Sequence, residues 1–177
     1  WRLSDGKFSS VNDRGFNLAT VNLGVALPGK YKLGAVQSTP GYLASGFLFD
    51  YSNASNYKFA RQLSVGYQIG QVVNGRTTIL KNIRETVRTD RSYALELHVE
   101  NNLVTFYSDD VSKASVEIAG TLNDGKVGLY TYRSRTQFDD FFVKEIVPTP
   151  IAGDDVSQTV VNTPVTLDVL GNDSHDV

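Results

Sequence analysis

The chain has 177 residues, of which 41% are hydrophobic and 20% charged; this is the composition of a folded protein and excludes a wholly disordered one. The 17 basic and 19 acidic residues give a formal net charge of −2, so the chain as a whole lacks the positive field that non-specific nucleic-acid binding requires. It has no cysteine, which excludes disulfides, cysteine-ligated metals and thiol catalysis.

Uninterrupted apolar runs, such as Phe47-Leu48-Phe49, are far shorter than the roughly 20 residues of a membrane-spanning helix. We therefore predict no membrane span. The chain begins at Trp1 and contains no methionine, so we expect it to be a segment of a longer protein.

Short segments with strand chemistry follow one another along the chain, separated by turn signals such as Asn74-Gly75. The clearest alternation lies in 93–100, where apolar and polar side chains point to opposite faces. The nearest approach to a helical pattern is the pair Ile83 and Val87, which supports at most a turn or two. In chain order, the predicted strands are 7–11, 16–22, 31–37, 45–51, 57–65, 67–73, 76–81, 93–100, 103–107, 114–119, 127–132 and 137–146.

This succession of strands without crossover helices predicts an all-β fold, an antiparallel two-sheet jelly-roll sandwich over 1–147. Its predicted core includes the apolar face of 93–100 and its neighbours, namely Leu95, Leu97, Val99, Val104, Phe106, Val127 and Leu129.

The composition changes after Val147. The prolines at 148 and 150 favour an extended linker, which we place at 148–153. Two further candidate strands, 157–161 and 164–170, are too few to bury a face of their own. We therefore predict that 154–177 is a truncated β tail, the first strands of a second domain.

Several segments of the first part resemble one family when taken together: Gly46-Phe47-Leu48-Phe49-Asp50-Tyr51, Tyr57-Lys58-Phe59-Ala60, Tyr93-Ala94-Leu95-Glu96-Leu97, Gly128-Leu129-Tyr130 and Phe138-Asp139-Asp140-Phe141. They are similar to the concanavalin A-like jelly rolls of the laminin-G type that occur in large bacterial surface proteins. The tail resembles the opening of a bacterial cadherin-like or immunoglobulin-like repeat, on the segments Ala152-Gly153-Asp154-Asp155 and Thr163-Pro164-Val165-Thr166-Leu167-Asp168-Val169-Leu170-Gly171-Asn172-Asp173. The two resemblances imply an extracellular or cell-surface adhesin, with further repeats of the same polypeptide as its neighbours.

A possible catalytic group is Glu96-x-His98-x-Glu100, whose three side chains share one face of a strand. The spacing resembles the alternating acidic strand of family-16 glycoside hydrolases, although histidine stands where that family has aspartate. The alternative interpretation is the solvated face of an outer strand.

Basic residues are concentrated in 61–91, where Arg76, Arg84 and Arg88 could bind an anionic glycan through guanidinium contacts. Tyr130 and Tyr132 share one face of their strand and are the candidate platform for stacking a sugar. The alternatives are a charged loop face for the arginines and core packing for the tyrosines.

Two groups of aspartates are candidate calcium ligands, because carboxylate oxygens suit Ca²⁺. Asp139 and Asp140 lie in a segment where a bulge would shift the strand register, and a hydrogen-bonded aspartate at that bulge is the alternative. Asp154, Asp155 and Asp173 surround the predicted start of the second domain, where solvated turns are the alternative.

Together these observations favour a non-catalytic extracellular binding or adhesion module associated with a glycan or with calcium. Two other interpretations stay open, a glycoside hydrolase that uses Glu96 and Glu100, and a structural spacer without a ligand.

Overall fold

The structure, a computed structural model, describes residues 1–10, 15–39, 44–123 and 125–147, together with 154, 161, 164 and 166. The chain divides into two units, Trp1–Glu145 and Ile146–Val177. All the strands described here belong to the first unit. The predicted tail strands at 157–161 and 164–170 fall almost entirely outside the described residues, as do Asp155 and Asp173. The predictions that concern them therefore stay predictions.

Within the described ranges of the first unit, thirteen antiparallel strands form two sheets, which confirms the predicted all-β, two-sheet sandwich. The strands are β1 (Arg2–Ser4), β2 (Lys7–Ser9), β3 (Phe16–Val21), β4 (Lys30–Ser38), β5 (Ala44–Asn53), β6 (Asn56–Leu63), β7 (Gly66–Val73), β8 (Arg76–Arg84), β9 (Tyr93–Glu100), β10 (Leu103–Ser108), β11 (Val111–Glu117), β12 (Lys126–Tyr132) and β13 (Gln137–Glu145). In the described part of the chain, no helical segment has the length and apolar character needed to cross a membrane.

One sheet has seven strands in the order β1-β2-β13-β4-β9-β10-β11, and the other has six in the order β3-β12-β5-β6-β7-β8. Tight hairpins connect many neighbouring strands. In the β7–β8 hairpin, Asn74 and Gly75 have φ values of 50° and 77°, the left-handed pair that a two-residue turn between twisted strands favours.

The main core lies between the sheets and is apolar. All seven core residues predicted from the sequence are at most 4% exposed, so that prediction is confirmed. Phe106 of the seven-stranded sheet packs edge-on against Phe47 and Tyr67 of the other sheet, at centroid distances of 6.2 and 6.1 Å. These aromatic contacts join the two layers.

The segment with the weak helical pattern forms no helix. Ile83 is part of β8 and pairs with Tyr67, and Val87 reaches the core from the following loop, where its N–H donates to the Ser64 carbonyl at 3.1 Å. The four-residue spacing of Ile83 and Val87 therefore reflects a strand followed by a buried loop residue.

Strand β13 contains a bulge. Phe138, Phe141 and Phe142 occupy both even and odd positions, and the bulge determines which face of the sheet each one occupies. Asp139 pairs with Val36 and Phe142 pairs with Gly34, so β13 has one more residue than β4 between these two pairs. Within the bulge, Asp140 has a left-handed φ of 51°. The extra residue puts Phe138 in the core while Phe142 packs over Gly34. It also leaves Asp140 exposed, at the register shift that the sequence allowed for in this segment.

Candidate functional site

Three polar side chains lie next to one another on the outer face of the six-stranded sheet. Arg61 of β6 is in register with Gln68 of β7, and Gln68 is in register with Asn82 of β8. Directly paired residues of antiparallel strands point to the same face, so the three form one row across the strands. We call them the polar row.

Hydrogen bonds fix the side chains of the polar row. The Arg61 Nε and Nη2 groups donate to Gln68 Oε1 at 3.0 and 2.6 Å, and Gln68 Nε2 donates to Asn82 Oδ1 at 2.9 Å. On the other side, Arg61 Nη1 donates to the Tyr130 hydroxyl at 2.8 Å. These contacts use three of the five guanidinium N–H groups, so two are left to donate to a ligand.

A second buried cluster, separate from the main core, lies on the same outer face as Arg61 and consists of Leu48, Tyr57, Phe59, Val72 and Tyr130. The rings of Phe59 and Tyr130 stack at 5.4 Å with an interplanar angle of 12°. The Arg61 guanidinium lies 4.9 Å from the centre of the Phe59 ring and 5.7 Å from that of Tyr130. Arg61 is therefore held by cation–π contacts with these two rings as well as by its hydrogen bonds to Gln68.

Glycines make room for this arrangement. Gly46 of β5 is in register with Tyr130 on one side and Arg61 on the other, so nothing larger than hydrogen stands between them. A Cβ atom at Gly70 would lie 2.5 Å from the Phe59 ring. A side chain at either position would disturb the aromatic cluster.

Tyr130 is only 1% exposed, and burial raises its pKa to about 12, although the positive charge of Arg61 opposes the shift. Its hydroxyl therefore stays protonated at physiological pH, and it accepts the hydrogen bond from Arg61. The prediction placed Tyr130 on a stacking platform, but this buried ring cannot stack on a ligand; its role is to support Arg61.

The other predicted tyrosine, Tyr132, lies at the margin of the same face and is partly exposed. Phe16 of β3 packs against it at a centroid distance of 4.6 Å and is itself 55% exposed. Exposed aromatic rings beside polar side chains are suited to contact the apolar faces of sugar rings.

The two sheets differ in charge. The strands of the six-stranded sheet carry six basic residues and one acid, Asp50, which is paired with Lys58. The strands of the seven-stranded sheet carry six basic and six acidic residues. The face with the polar row therefore belongs to a sheet with an excess of positive charge.

The three arginines predicted to bind a ligand are not brought together. Arg76 and Arg84 begin and end the nine-residue strand β8, roughly 25 Å apart by the rise of an extended strand. Arg88 lies in the next loop, where Asp90 accepts two hydrogen bonds from its guanidinium at 2.9 and 2.7 Å. Of the three, Arg84 lies nearest the polar row, two residues beyond Asn82 on the same strand.

Sequence reasoning missed the polar row itself, although a signal was present. Within 57–65, Tyr57, Phe59 and Arg61 share one parity, which places an arginine beside aromatic residues on one face. Gln68 and Asn82 become its neighbours only through the registers of two consecutive hairpins.

Glu96, His98 and Glu100 lie on the outer face of the seven-stranded sheet, as their alternation predicts. The Glu96 carboxylate is 2.6 Å from His98 Nε2 and accepts from Lys32 Nζ at 3.1 Å. Burial alone would raise the pKa of Glu96, but the hydrogen bonds from His98 and Lys32 outweigh it and lower that pKa. Glu96 is therefore ionised at neutral pH.

The lowered pKa makes Glu96 a source of pH-dependent stability. A carboxyl group with a lower pKa in the folded state stabilises the fold above its unfolded pKa, and this contribution is lost as the pH falls below about 4.5. Glu96→Gln is expected to lower the free energy of unfolding at pH 7 by at most about 1 kcal/mol, because the pair is solvent-screened. Urea unfolding at pH 7 and pH 3 checks this: the difference in the free energy of unfolding between the two proteins should be smaller at pH 3 than at pH 7, and an equal difference at both pH values would contradict the assignment.

The Asp139 carboxylate is engaged within the chain, and calcium binding by Asp139 and Asp140 stays a prediction. One Asp139 carboxylate oxygen accepts from the Asp140 N–H at 3.0 Å, and the other lies 3.5 Å from Lys7 Nζ. A lysine ammonium group beside the carboxylate already compensates its charge. Among the residues that the structure describes, no group of three or more His, Cys, Asp or Glu side chains is placed to hold a metal. Asp154 is exposed, and its predicted partners Asp155 and Asp173 lie outside the described residues.

Comparison with solved structures identifies the fold. The chain is similar to the carbohydrate-binding module CBM66 from Bacillus subtilis, with a TM-score of 0.64 and 13% identity over 79% of this chain and 96% of that one. It is also similar to sheep galectin-11, with a TM-score of 0.55 and 9% identity over 76% of this chain and 99% of that one. A third similar structure is the Bacillus licheniformis β-glucanase, with a TM-score of 0.52 and 8% identity over 79% of this chain and 78% of that one.

These similarities confirm the concanavalin A-like sandwich. At such low identities they show the fold alone, and they include binding proteins as well as an enzyme. No protein-family description and no curated protein matches the sequence.

Proposed function

We propose that this domain is a non-catalytic glycan-binding module and that its binding surface is the outer face of the six-stranded sheet. The observation that carries the proposal is the polar row, in which Arg61 is held by Gln68 and Tyr130 before any ligand arrives. Pre-ordered donors bind with less loss of conformational entropy than mobile surface side chains.

The chemistry of the face matches a sugar. The two remaining N–H groups of Arg61 and the exposed Asn82 amide can serve several ligand hydroxyls at once, while Phe16 and Tyr132 offer apolar ring faces. The basic excess of the sheet favours glycans that carry carboxylate or sulfate groups. The similarity to CBM66 and to a galectin supports a role in carbohydrate binding.

The state of Glu96 argues against this residue as the general acid of a glycosidase. A glycosidase needs one protonated carboxyl group as general acid, which requires a raised pKa. The pKa of Glu96 is lowered instead, and its carboxylate is engaged by Lys32 and His98.

The extracellular location and the adhesin context belong to the proposal as well. Their support is the sequence resemblance of the two parts of the chain to modules of bacterial surface proteins. Calcium at Asp154, Asp155 and Asp173 is proposed on the same ground.

The experiment is a screen of the full chain on an array of neutral, carboxylated and sulfated glycans, followed by calorimetric titration of the best glycan. Arg61→Ala is expected to weaken binding about 10- to 100-fold, because each hydrogen bond to a charged donor contributes about 1.5–3 kcal/mol. Arg61→Lys should restore little of the affinity, since an ammonium group lacks the planar fork.

The matched control is Arg2→Ala, which removes an exposed arginine from β1 of the other sheet. It should leave the affinity within about twofold, the range expected of a surface change away from the site. Equal losses in the Arg2 and Arg61 variants would show a general charge effect and contradict a site at the polar row. Binding to no glycan on the array would contradict the proposed function itself.

A further inference from the structure

A cleft of about 630 Å³ opens at one end of the sandwich. Its walls come from four segments that are distant in the sequence, 9–10, 38–39, 89–92 and 135–137. These segments lie where β2 and β4 end and where β9 and β13 begin. The volume is in the range of small-molecule sites, roughly 300–1,000 Å³.

The lining is rich in hydroxyl groups, since seven of its eleven residues are serine or threonine. Three of them, Ser10, Thr39 and Thr136, are at most 5% exposed and form the floor. Thr136 Oγ1 lies 2.9 Å from Thr39 Oγ1, and the Ser10 hydroxyl donates to the Ser134 carbonyl at 2.6 Å. These hydrogen bonds hold the floor in one arrangement.

Polar side chains continue from the floor into the space between the sheets. Gln37 of β4 lies two residues before Thr39, and its Nε2 donates to Gln62 Oε1 of the other sheet at 3.0 Å. Ser45 is in register with Gln62. Gln37 Oε1, Gln62 Nε2 and Ser45 Oγ are fully buried and have no hydrogen-bond partner among the described residues.

Buried polar atoms without a hydrogen-bond partner lower the free energy of unfolding, so apolar side chains at these positions would give a more stable core. A buried water bound by these atoms would satisfy them and extend the hydrogen-bonding network of the floor inwards.

Two of the three charged residues of the cleft wall, Asp90 and Arg91, are paired within the chain, and the third, Arg135, is exposed. Asp90 accepts two hydrogen bonds from Arg88, and Arg91 forms an ion pair with Asp109 and lies 4.3 Å from the centre of the Tyr93 ring. This pairing lowers the attraction of Asp90 and Arg91 for an ionic ligand. Most of the remaining hydrogen-bonding groups of the lining are serine and threonine hydroxyls.

We propose that this cleft is a second binding site, separate from the polar row, and that it takes a neutral sugar of one or two rings. Serine and threonine hydroxyls both donate and accept hydrogen bonds, as sugar hydroxyls do. Either the protein hydroxyl or the sugar hydroxyl can therefore be the donor in each contact. The proposal stands on the cleft alone and does not depend on binding at the polar row.

Amide-resolved NMR of the full chain tests the proposal, with glucose, galactose, fructose, xylose, lactose, sucrose and glucuronate as probes in the tens of millimolar. At least one neutral sugar is expected to shift the amides of Ser38, Thr89, Ser92 and Thr136 in a saturable manner. Ser92→Trp should abolish these shifts by filling the cleft, while the control Ser112→Trp, at an exposed position of β11, should keep them. Thr89→Trp replaces Ser92→Trp if amide dispersion shows that the first variant does not fold.

Three outcomes would overturn the proposal. The first is the absence of shifts in the cleft with every neutral sugar, and the second is a response to glucuronate alone. The third is shifts that persist in a folded cleft-filling variant. Shifts confined to Arg61, Gln68 and Asn82 would overturn the cleft site while supporting the proposed function.

Discussion

Phe106→Ala is expected to lower the free energy of unfolding by about 3–5 kcal/mol, the usual cost of removing a buried aromatic ring. Phe106 is fully buried on the seven-stranded sheet, and its ring contacts Phe47 and Tyr67 of the other sheet. Truncation would leave a cavity at the junction of the two layers, which rigid β-sheets cannot close by collapse.

Urea unfolding followed by far-UV circular dichroism measures this effect, with Phe8→Ala as the matched control. Phe8 lies on β2 of the same sheet and is 41% exposed, so its loss should change the free energy of unfolding by about 0.5 kcal/mol or less. If the two variants unfold at the same urea concentration, the main core does not lie where the structure places it.

Gln62→Leu is expected to cost about 1–3 kcal/mol, because it removes the only acceptor that the described residues offer to the Gln37 amide. The double variant Gln37→Leu/Gln62→Leu should recover most of that loss. It removes every amide atom of the pair, including Gln37 Oε1 and Gln62 Nε2, which have no partner in the described part of the chain. Replacing both members of a buried polar pair by apolar groups of similar shape is often neutral or stabilising.

A double-mutant cycle in urea gives the coupling between the two glutamines. The single variants should each be less stable than the double. Strictly additive losses would show that the two amides do not interact across the sheets, and would remove the polar layer behind the cleft from this account.

The fold could be predicted from the sequence because its signals are local. Alternation in 93–100 identifies which side chains face the core, and Asn74-Gly75 identifies a hairpin turn. Both depend on a few neighbouring residues, and both are confirmed. The order of the strands within each sheet is set by contacts between distant segments, and local patterns do not contain it.

The β13 segment shows where alternation fails. Parity alone places Asp140 with Phe138 on the inward face, but the bulge after Asp139 adds one residue and turns Asp140 to the solvent. The sequence pattern indicates that a bulge is possible, yet only the pairing with β4 decides where the extra residue falls.

The candidate site was harder to predict from the sequence, because contacts between distant strands form it as well. A search for clustered arginines finds Arg76, Arg84 and Arg88, which the fold separates, whereas Arg61 stands apart from other arginines in the sequence. Arg61 gains its significance from Gln68, Asn82 and Tyr130, which lie on three other strands. Neighbours across strands become visible only once the register is known.

The most direct test of a glycan site on the six-stranded sheet is a side-chain NMR titration of the full chain with the tightest glycan found on the array. The resonances to follow are the Nε–H of Arg61 and the side-chain amides of Gln68 and Asn82. Our account predicts that all three shift together and saturate at the affinity measured by calorimetry. If the glycan saturates the protein while these three groups keep their free chemical shifts, the binding site lies elsewhere and the account is contradicted.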